Sequence, residues 1–345
     1  MKAFAVTGPG AFKFVEIDIP EIDDYEVLVK NEGCSICNTT DWMITDRLYA
    51  TKGYPVLLGH ESFGKVIKVG KKVRNYRLGD RVICANARPK GYDGTYYSSW
   101  GAFAEYGVAG DYHALKEDGE RFDGEYSYRN RYFSNDKIDP NLPTEKATLV
   151  FPLSETASCV LQVPEVKGED VAIFGAGTVG CTLALFAKLY GAKSVTVFDI
   201  RKEKAEQAVA IGADFAGLSD EAYTAGKKYG VVYEATGKNT VFERGLPFLK
   251  ENGVLAVYGV STLPYHFNLN AVPTNWHYRT VSPKPVDAIP FVEDLLWKDK
   301  IPMDKILTHV WPFAEAEKAM RQVKNGEVMK GLVLIEGCAD GVKVD

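Results

Sequence analysis

Cys37, His60 and Glu61 are the residues of this chain whose side chains best combine into a metal site. A thiolate, an imidazole and a carboxylate form a mixed ligand set that suits zinc with an exchangeable fourth position. Zinc bound in this way polarises an alcohol oxygen and lowers its pKa, so that the alkoxide can release hydride. Taken singly, a cysteine is usually a small buried apolar residue, and a histidine is more often simply hydrogen-bonded. The zinc hypothesis therefore depends on the rest of the chain.

A glycine-rich turn supplies a second observation. The run GAGTVG at 175–180 closes a predicted strand and opens a predicted helix. Glycines in this setting allow a tight turn and close approach of the backbone to a pyrophosphate, and the helix N-terminus favours phosphate. A purely structural strand–helix turn is the alternative. The predicted dinucleotide contacts are Gly175, Gly177, Thr178, Val179, Gly180, Asp199 and Arg201.

The end of the next strand bears on the choice between NAD and NADP. Asp199 lies about twenty residues beyond the glycine turn, where an acid can accept hydrogen bonds from the ribose hydroxyls and repel a 2′-phosphate. Arg201 follows two residues later and could accommodate that phosphate. The sequence therefore predicts NAD, with NADP as the alternative.

Two kinds of secondary structure are predicted to position these residues. The first part of the chain has short runs of aromatic and β-branched residues, which predict strands. The clearest of these are Ala3–Val6, Phe14–Ile17, Glu26–Glu32 and Gly64–Val69. From about Asp170, strand-like runs alternate with helical ones, a pattern typical of βαβ units and a parallel sheet.

The alternation stops after about Ser282, and a helical stretch then leads to a last strand. The chain is thus predicted to have an α/β fold, with a dinucleotide-binding domain at 151–281 between two pieces of a β-rich domain, 1–150 and 282–345. An acidic, tyrosine-rich stretch at 116–146 lacks periodicity and is predicted to be a long loop or insertion.

Composition excludes several classes of function. A net charge of −5 offers no basic field for nucleic acid, and no apolar run is long enough to span a membrane. The N-terminal sequence does not resemble a signal peptide. The six cysteines show no disulfide pattern, which indicates a reducing compartment. We therefore expect a cytoplasmic enzyme with neither a nucleic-acid nor a membrane partner.

Seven motifs give the chain a resemblance to a known family. They are GCSICNTTD at 33–41, GHESFGKVIKVG at 59–70, GDRV at 79–82, GAFAEY at 101–106, FPLS at 151–154, GAGTVG at 175–180 and EATG at 234–237. With them the chain resembles the zinc-dependent medium-chain dehydrogenase/reductases, especially the sorbitol, threonine and polyol dehydrogenase branch. The resemblance implies a GroES-like β-rich catalytic domain and a doubly wound Rossmann domain. It also implies a homodimer or homotetramer.

The resemblance implies roles for individual residues. Cys37 and His60 would hold a catalytic zinc ion, and Glu61 can join them. Thr39 would relay the proton of the substrate hydroxyl. The implied reaction transfers hydride between NAD(P) and a secondary alcohol, such as a polyol, a sugar or a sugar derivative.

Three departures from the family pattern stand out. The family aspartate three residues after the metal cysteine is Thr40 here, and Asp41 follows it. A glutamate of the polyol branch is replaced by Phe151, and we expect Glu155, one helical turn later, to act as the missing ligand or as a base near the metal. Only Cys84 lies where many relatives have four cysteines for a structural zinc, so one zinc ion per subunit is expected.

Nothing in the sequence names the substrate. Trp42, Tyr97 and Trp100 are aromatic residues that could line a sugar-binding pocket, although core packing explains each of them equally well. Two other functions remain open at this point. One is a zinc-free quinone or enone reductase of the same architecture, and the other is a non-catalytic dinucleotide-binding protein.

Overall fold

The structure is a computed structural model, and it describes residues 1–47, 51–87, 91–92, 94–98, 100–119, 135–220, 226–261, 264–266, 268, 270 and 272–335. The chain divides into two compact units. The first, the β-rich unit, comprises Met1–Pro152 and Ile289–Asp345, and the second, the nucleotide unit, comprises Leu153–Ala288. The sequence predicts these divisions at 150 and 282.

Strands and helices of the described residues are numbered in chain order. The strands are β1 (Lys2–Gly8), β2 (Ala11–Glu16), β3 (Glu26–Ser35), β4 (Val56–Leu57), β5 (Glu61–Val69), β6 (Arg81–Ile83), β7 (Gly91–Tyr92), β8 (Tyr97–Ser98), β9 (Tyr106–Gly110), β10 (Lys137–Ile138), β11 (Asp170–Phe174), β12 (Ser194–Asp199), β13 (Phe215–Leu218), β14 (Tyr229–Glu234), β15 (Leu249–Val257), β16 (His277–Thr280), β17 (Leu307–Pro312) and β18 (Lys330–Leu334). The helices are α1 (Thr40–Arg47), α2 (Tyr112–Glu117), α3 (Thr144–Leu161), α4 (Thr178–Tyr190), α5 (Lys202–Ile211), α6 (Asn239–Gly245), α7 (Pro285–Trp297), α8 (Met303–Ile306) and α9 (Ala316–Lys324).

The nucleotide unit contains a parallel sheet with the strand order β13-β12-β11-β14-β15-β16. This is the order of a doubly wound sheet, in which the chain reverses direction next to its first strand. Strands covered by helices on both faces are apolar along their whole length, and every residue of β14 is buried. The predicted Rossmann sheet is therefore confirmed.

The β-rich unit contains two further sheets. One has the order β2-β1-β4-β8-β7, and the other has the order β10-β6-β5-β3-β18-β17, with β9 also paired to β3. Most of these strands pair antiparallel, whereas β4 pairs parallel with β8 and β17 pairs parallel with β18. The combination of a β-rich unit with a parallel-sheet unit confirms the predicted fold class.

The second sheet of the β-rich unit brings the metal-ligand motifs together. Strands β3 and β5 pair antiparallel, with Ser35 opposite Glu61. The end of β3 therefore lies beside the start of β5, so Cys37, which follows β3, comes close to His60, which precedes β5. Gly59 adopts a φ of +93°, and a Cβ there would lie 2.6 Å from the backbone nitrogen of Phe103. Only glycine fits this close approach, which fixes the entry of the chain into β5.

Part of the predicted loop at 116–146 has regular structure. Residues 120–134 lie outside the described part of the chain. Beyond them, β10 pairs with β6, and α3 begins at Thr144. The loop prediction is wrong for these residues, because pairing with a strand distant in the sequence, rather than local periodicity, stabilises β10. Among the described helices, none is long and apolar enough to cross a membrane.

Candidate active site

Cys37, His60 and Glu61 form a compact cluster in the β-rich unit. One ligand atom from each of the three side chains lies within 4.8 Å of the others. His60 and Glu61 are buried and Cys37 is half-buried. The distance between His60 Nε2 and Glu61 Oε1 is 4.0 Å. Tetrahedral zinc bonds of about 2.0–2.3 Å put ligand atoms roughly 3.3–3.8 Å apart, so small side-chain shifts would bring these atoms to zinc-binding distances.

Asp41 faces the other side of the His60 ring. Its carboxylate Oδ1 lies 3.4 Å from His60 Nδ1, and its Oδ2 accepts a hydrogen bond from the Cys37 backbone N–H at 2.9 Å. Asp41 itself is completely buried. One carboxylate thus contacts both the imidazole and the loop of the cysteine. This is the arrangement by which a second carboxylate orients a histidine ligand and raises its basicity.

The electrostatics of the cluster favour a cation. Burial would lower the pKa of His60, but the nearby Asp41 carboxylate and Cys37 sulfur outweigh burial and raise that pKa well above its usual value. His60 Nδ1 and Asp41 Oδ1 are buried without a well-aligned hydrogen-bond partner within the described ranges. Buried polar atoms of this kind are normally satisfied. The set of donor atoms from Cys37, His60 and Glu61 fits zinc. Zinc would bind His60 Nε2, and the Nδ1–H group would then be directed at Asp41 Oδ1.

Cys34 and Cys37 lie three residues apart but differ in environment. Cys34 is entirely buried, and burial, followed by the charges of Asp41 and Glu61, raises the pKa of its thiol well above the usual value. It therefore stays a neutral thiol. Cys37 is half-buried, and the backbone N–H of Thr40 donates to its Sγ at 3.4 Å.

Lys330 and Ser35 contact Glu61, and the sequence analysis missed both. Lys330 Nζ lies 2.7 Å from Glu61 Oε1 and 2.5 Å from Oε2, and the Ser35 hydroxyl donates to Oε2. The sequence did contain a signal, because Lys330 is the one charge in the otherwise apolar strand KGLVL. A charge in a buried strand implies a buried partner.

The remaining predicted residues of this unit are placed differently. Thr39 is exposed, in the turn that leads into α1. The ring of Trp100 lies 5.0 Å from the His60 ring, whereas Trp42 packs edge-on against Phe12 in the core. Trp100 therefore lies next to the cluster formed by Cys37, His60 and Glu61, whereas Trp42 belongs to the hydrophobic core.

The glycine turn of the nucleotide unit joins β11 to α4. Gly175 has a φ of +105°, and a Cβ on Gly180 would lie 1.7 Å from the Gly175 carbonyl oxygen. In contrast, nothing lies within 4 Å of a Cβ built on Gly177. The strand, the tight turn and the helix N-terminus have the geometry of a phosphate-binding turn.

Asp199 is connected to this turn. Its carboxylate accepts hydrogen bonds from the backbone N–H groups of Ala176 at 2.8 Å and Arg201 at 3.0 Å. It is half-buried at the end of β12, and the Arg201 side chain is exposed. The acid therefore lies beside the glycine turn, with a basic residue in reach of solvent two positions later.

Comparison with known families identifies the chain. A model described as the alcohol dehydrogenase GroES-like domain matches residues 23–118, and one described as zinc-binding dehydrogenase matches residues 178–281. The chain belongs to the zinc-dependent medium-chain dehydrogenase/reductase family. The second of these matches begins at Thr178 and Val179, the first two residues of α4.

Relatives extend along the whole chain. Sorbitol dehydrogenase from Ovis aries is 27% identical over 353 residues, covering 96% of this chain and 95% of the relative. D-arabinitol dehydrogenase 1 from Uromyces fabae is 26% identical over 352 residues, covering 96% of each. The crystal structure of benzyl alcohol dehydrogenase from Acinetobacter calcoaceticus has a TM-score of 0.81 at 21% identity, covering 97% of this chain and 99% of that structure. The curated relatives belong to the polyol branch of the family.

Asp41 accounts for the first departure from the family pattern. The carboxylate expected at position 40 lies one residue later, and it still reaches His60 because α1 begins at Thr40 and turns Asp41 towards the ring.

The second departure from the family pattern, Phe151 in place of a glutamate, lies in helix α3. Phe151 is buried in α3, and Glu155 is half-buried one turn later on the same helix, within the nucleotide unit. The role of Glu155 as a ligand or a base stays a prediction.

We expect the substitution Asp41→Asn to weaken zinc binding about 10- to 100-fold, the usual effect of losing a carboxylate behind a histidine ligand. The variant keeps the shape of the side chain but removes its charge from His60. Zinc affinity is measured by competition with a chromogenic chelator. Asp46→Asn is the matched control, because Asp46 lies on the same helix but pairs with Lys324 at the surface. Equal affinities for both variants would show that Asp41 does not orient the metal ligand.

Proposed function

We propose that this protein is a zinc- and NAD-dependent dehydrogenase that oxidises a secondary alcohol of a polyol, sugar or sugar derivative to the ketone. The observation that carries the proposal is the Cys37–His60–Glu61 cluster, with Asp41 on the other side of the His60 ring. The polyol relatives, which match nearly the whole chain, support the substrate class.

Cys37, His60 and a carboxylate from Glu61 or Glu155 would hold one zinc ion. When bound, zinc supplies Lewis acidity that lowers the pKa of an alcohol hydroxyl. Asp41 keeps His60 in the tautomer with Nδ1 protonated, so that Nε2 faces the cluster. The ring of Trp100 lies 5.0 Å from the ring of His60 and lines that side of the cluster.

Thr39 is proposed to take the proton. Its exposed hydroxyl lies two residues after Cys37, where it accepts the hydroxyl proton of the substrate while donating its own towards solvent. Gly175, Gly177, Thr178, Val179 and Gly180 would hold the phosphates of NAD, and Asp199 would hold its ribose. When bound, NAD would supply the acceptor for the hydride of the alcohol carbon, so that loss of this hydride and of the hydroxyl proton gives the ketone.

The deciding experiment combines metal analysis with a substrate screen. Protein purified without chelator is analysed for zinc, and polyols, sugar phosphates and amino alcohols are screened with NAD and NADP by absorbance of the reduced cofactor. The proposal expects about one zinc per chain and turnover of at least one polyol. Protein without zinc that reduces quinones or enones would contradict it, as would NADH binding without turnover of any substrate.

We expect NAD to be preferred over NADP, and Asp199→Asn to reduce that preference about tenfold, or about 1.4 kcal/mol. Asparagine still offers an oxygen to the Ala176 N–H but no longer repels a 2′-phosphate. The measurement is the ratio of kcat/KM for the two cofactors. Arg201→Ala is the companion variant, and it should lower NADP use if Arg201 contacts the phosphate. A wild-type preference for NADP would contradict the assignment of Asp199.

A further inference from the structure

Lys330 is a buried cation in an apolar strand. Its side chain is 4% exposed, and all five residues of β18 are buried. An ammonium group removed from water is strongly destabilising unless it is paired. Besides Glu61, Nζ donates to the carbonyl oxygen of Ile36 at 3.1 Å. A buried positive charge, paired with Glu61, therefore lies directly next to the proposed metal site.

Three neighbouring strands hold this pair in place. Glu61 begins β5, Ser35 ends β3, and Lys330 begins β18, which pairs with β3 so that Leu332 is opposite Ser35. The Ile36 N–H also donates to the carbonyl of Gly331 at 3.0 Å. The position of the ammonium group is therefore set by the backbone of a sheet, unlike that of a lysine at the surface.

Both oxygens of the Glu61 carboxylate contact this cation. Oε1 is the oxygen 4.0 Å from His60 Nε2, and it lies 2.7 Å from Lys330 Nζ. Oε2 contacts Nζ as well and accepts from the Ser35 hydroxyl. A carboxylate that shares its lone pairs with an ammonium and a hydroxyl donates less electron density to a metal.

We propose that Lys330 is a positioning residue that competes with the metal for Glu61. In this arrangement Glu61 is a weakly held ligand, and the competing ion pair keeps a coordination position accessible to the substrate hydroxyl. Lys330 also offsets the negative charge that Glu61 adds to that of Cys37, which preserves the Lewis acidity of the site. The inference rests on the zinc site of the proposed function.

Removing the charge of Lys330 tests the competition. Lys330→Met keeps an unbranched side chain of similar length and frees Glu61 to bind the metal. We expect zinc affinity, measured against a chelator, to rise at least about tenfold. In protein loaded with Co²⁺, the visible absorption spectrum should change as Glu61 coordinates. Lys330→Arg should restore both wild-type values, because it keeps the charge.

The effect must pass through Glu61. In a Glu61→Gln background, Lys330→Met should change neither zinc affinity nor the Co²⁺ spectrum, because the amide is a poor ligand. Glu61→Gln alone covers the case in which Lys330→Met fails to fold. It should lower zinc affinity less than about tenfold, because Glu61 is weakly held, whereas a larger loss would show that Glu61 is a full ligand and overturn the proposal.

Two failures are distinguishable. Wild-type protein that binds no zinc overturns the proposed metal site and this inference with it. Wild-type protein that binds zinc, combined with an unchanged or lower affinity and an unchanged Co²⁺ spectrum in Lys330→Met, overturns only the role of Lys330. The proposed dehydrogenase function would then stand.

Discussion

The substitution Cys37→Ser is expected to remove zinc from the protein and to reduce turnover at least about 10³-fold, or about 4 kcal/mol of transition-state stabilisation. Serine offers a hydroxyl that stays protonated near neutral pH, so the cluster loses one of its two anionic ligands. His60 and Glu61 remain, but they are one ligand fewer than the three protein ligands that a catalytic zinc site uses, so the ion is lost. Metal content and kcat/KM with the best polyol are the measurements.

Cys34→Ala is the matched control for this substitution. Cys34 lies three residues before Cys37, near the end of β3, is fully buried and stays a neutral thiol. Its loss should destabilise the fold by about 1 kcal/mol through the small cavity it leaves, without changing the zinc content. Full activity in Cys37→Ser, or loss of zinc in Cys34→Ala but not in Cys37→Ser, would show that the ligand has been assigned to the wrong cysteine.

The second large effect is expected in the glycine turn, where two glycines should respond in opposite ways. Gly177→Ala should leave the free energy of unfolding within about 0.5 kcal/mol of wild type, because a Cβ there meets nothing in the protein. The same methyl group would occupy the space where a pyrophosphate approaches the backbone. NADH affinity, measured by fluorescence titration, should therefore fall at least about tenfold.

Gly180→Ala should disrupt both folding and binding. The added Cβ would overlap the Gly175 carbonyl oxygen at 1.7 Å, and a backbone atom cannot move aside without opening the turn. We expect a loss of about 3 kcal/mol or more in the nucleotide unit, measured by denaturant unfolding, together with loss of NADH binding. If Gly177→Ala binds NADH like wild type, the turn is a structural strand–helix connection and the dinucleotide lies elsewhere.

Much of the fold could be predicted from the sequence because its signals are local. The alternating strands and helices after Asp170 predicted the doubly wound sheet, since buried parallel strands are apolar throughout. The short strand β10 could not be predicted, because two residues carry no periodicity and only pairing with β6 defines them. The same limit applies to the two-residue strands β4, β7 and β8.

The sequence by itself was sufficient to predict the types of the candidate ligands. Cys37 and His60-Glu61 each lie at a turn next to a strand, and the glycine spacing at 175–180 is local as well. Residue chemistry and short spacings are sufficient for such predictions.

Only the tertiary structure decided how these candidate ligands are supported. Asp41, and not Thr40, faces His60 because of where α1 begins. Lys330 meets Glu61 across 269 positions of sequence because β18 joins the sheet beside β3. Strand register determines both the partner and the face on which a side chain lies, and a single sequence does not encode register between distant strands in any local pattern.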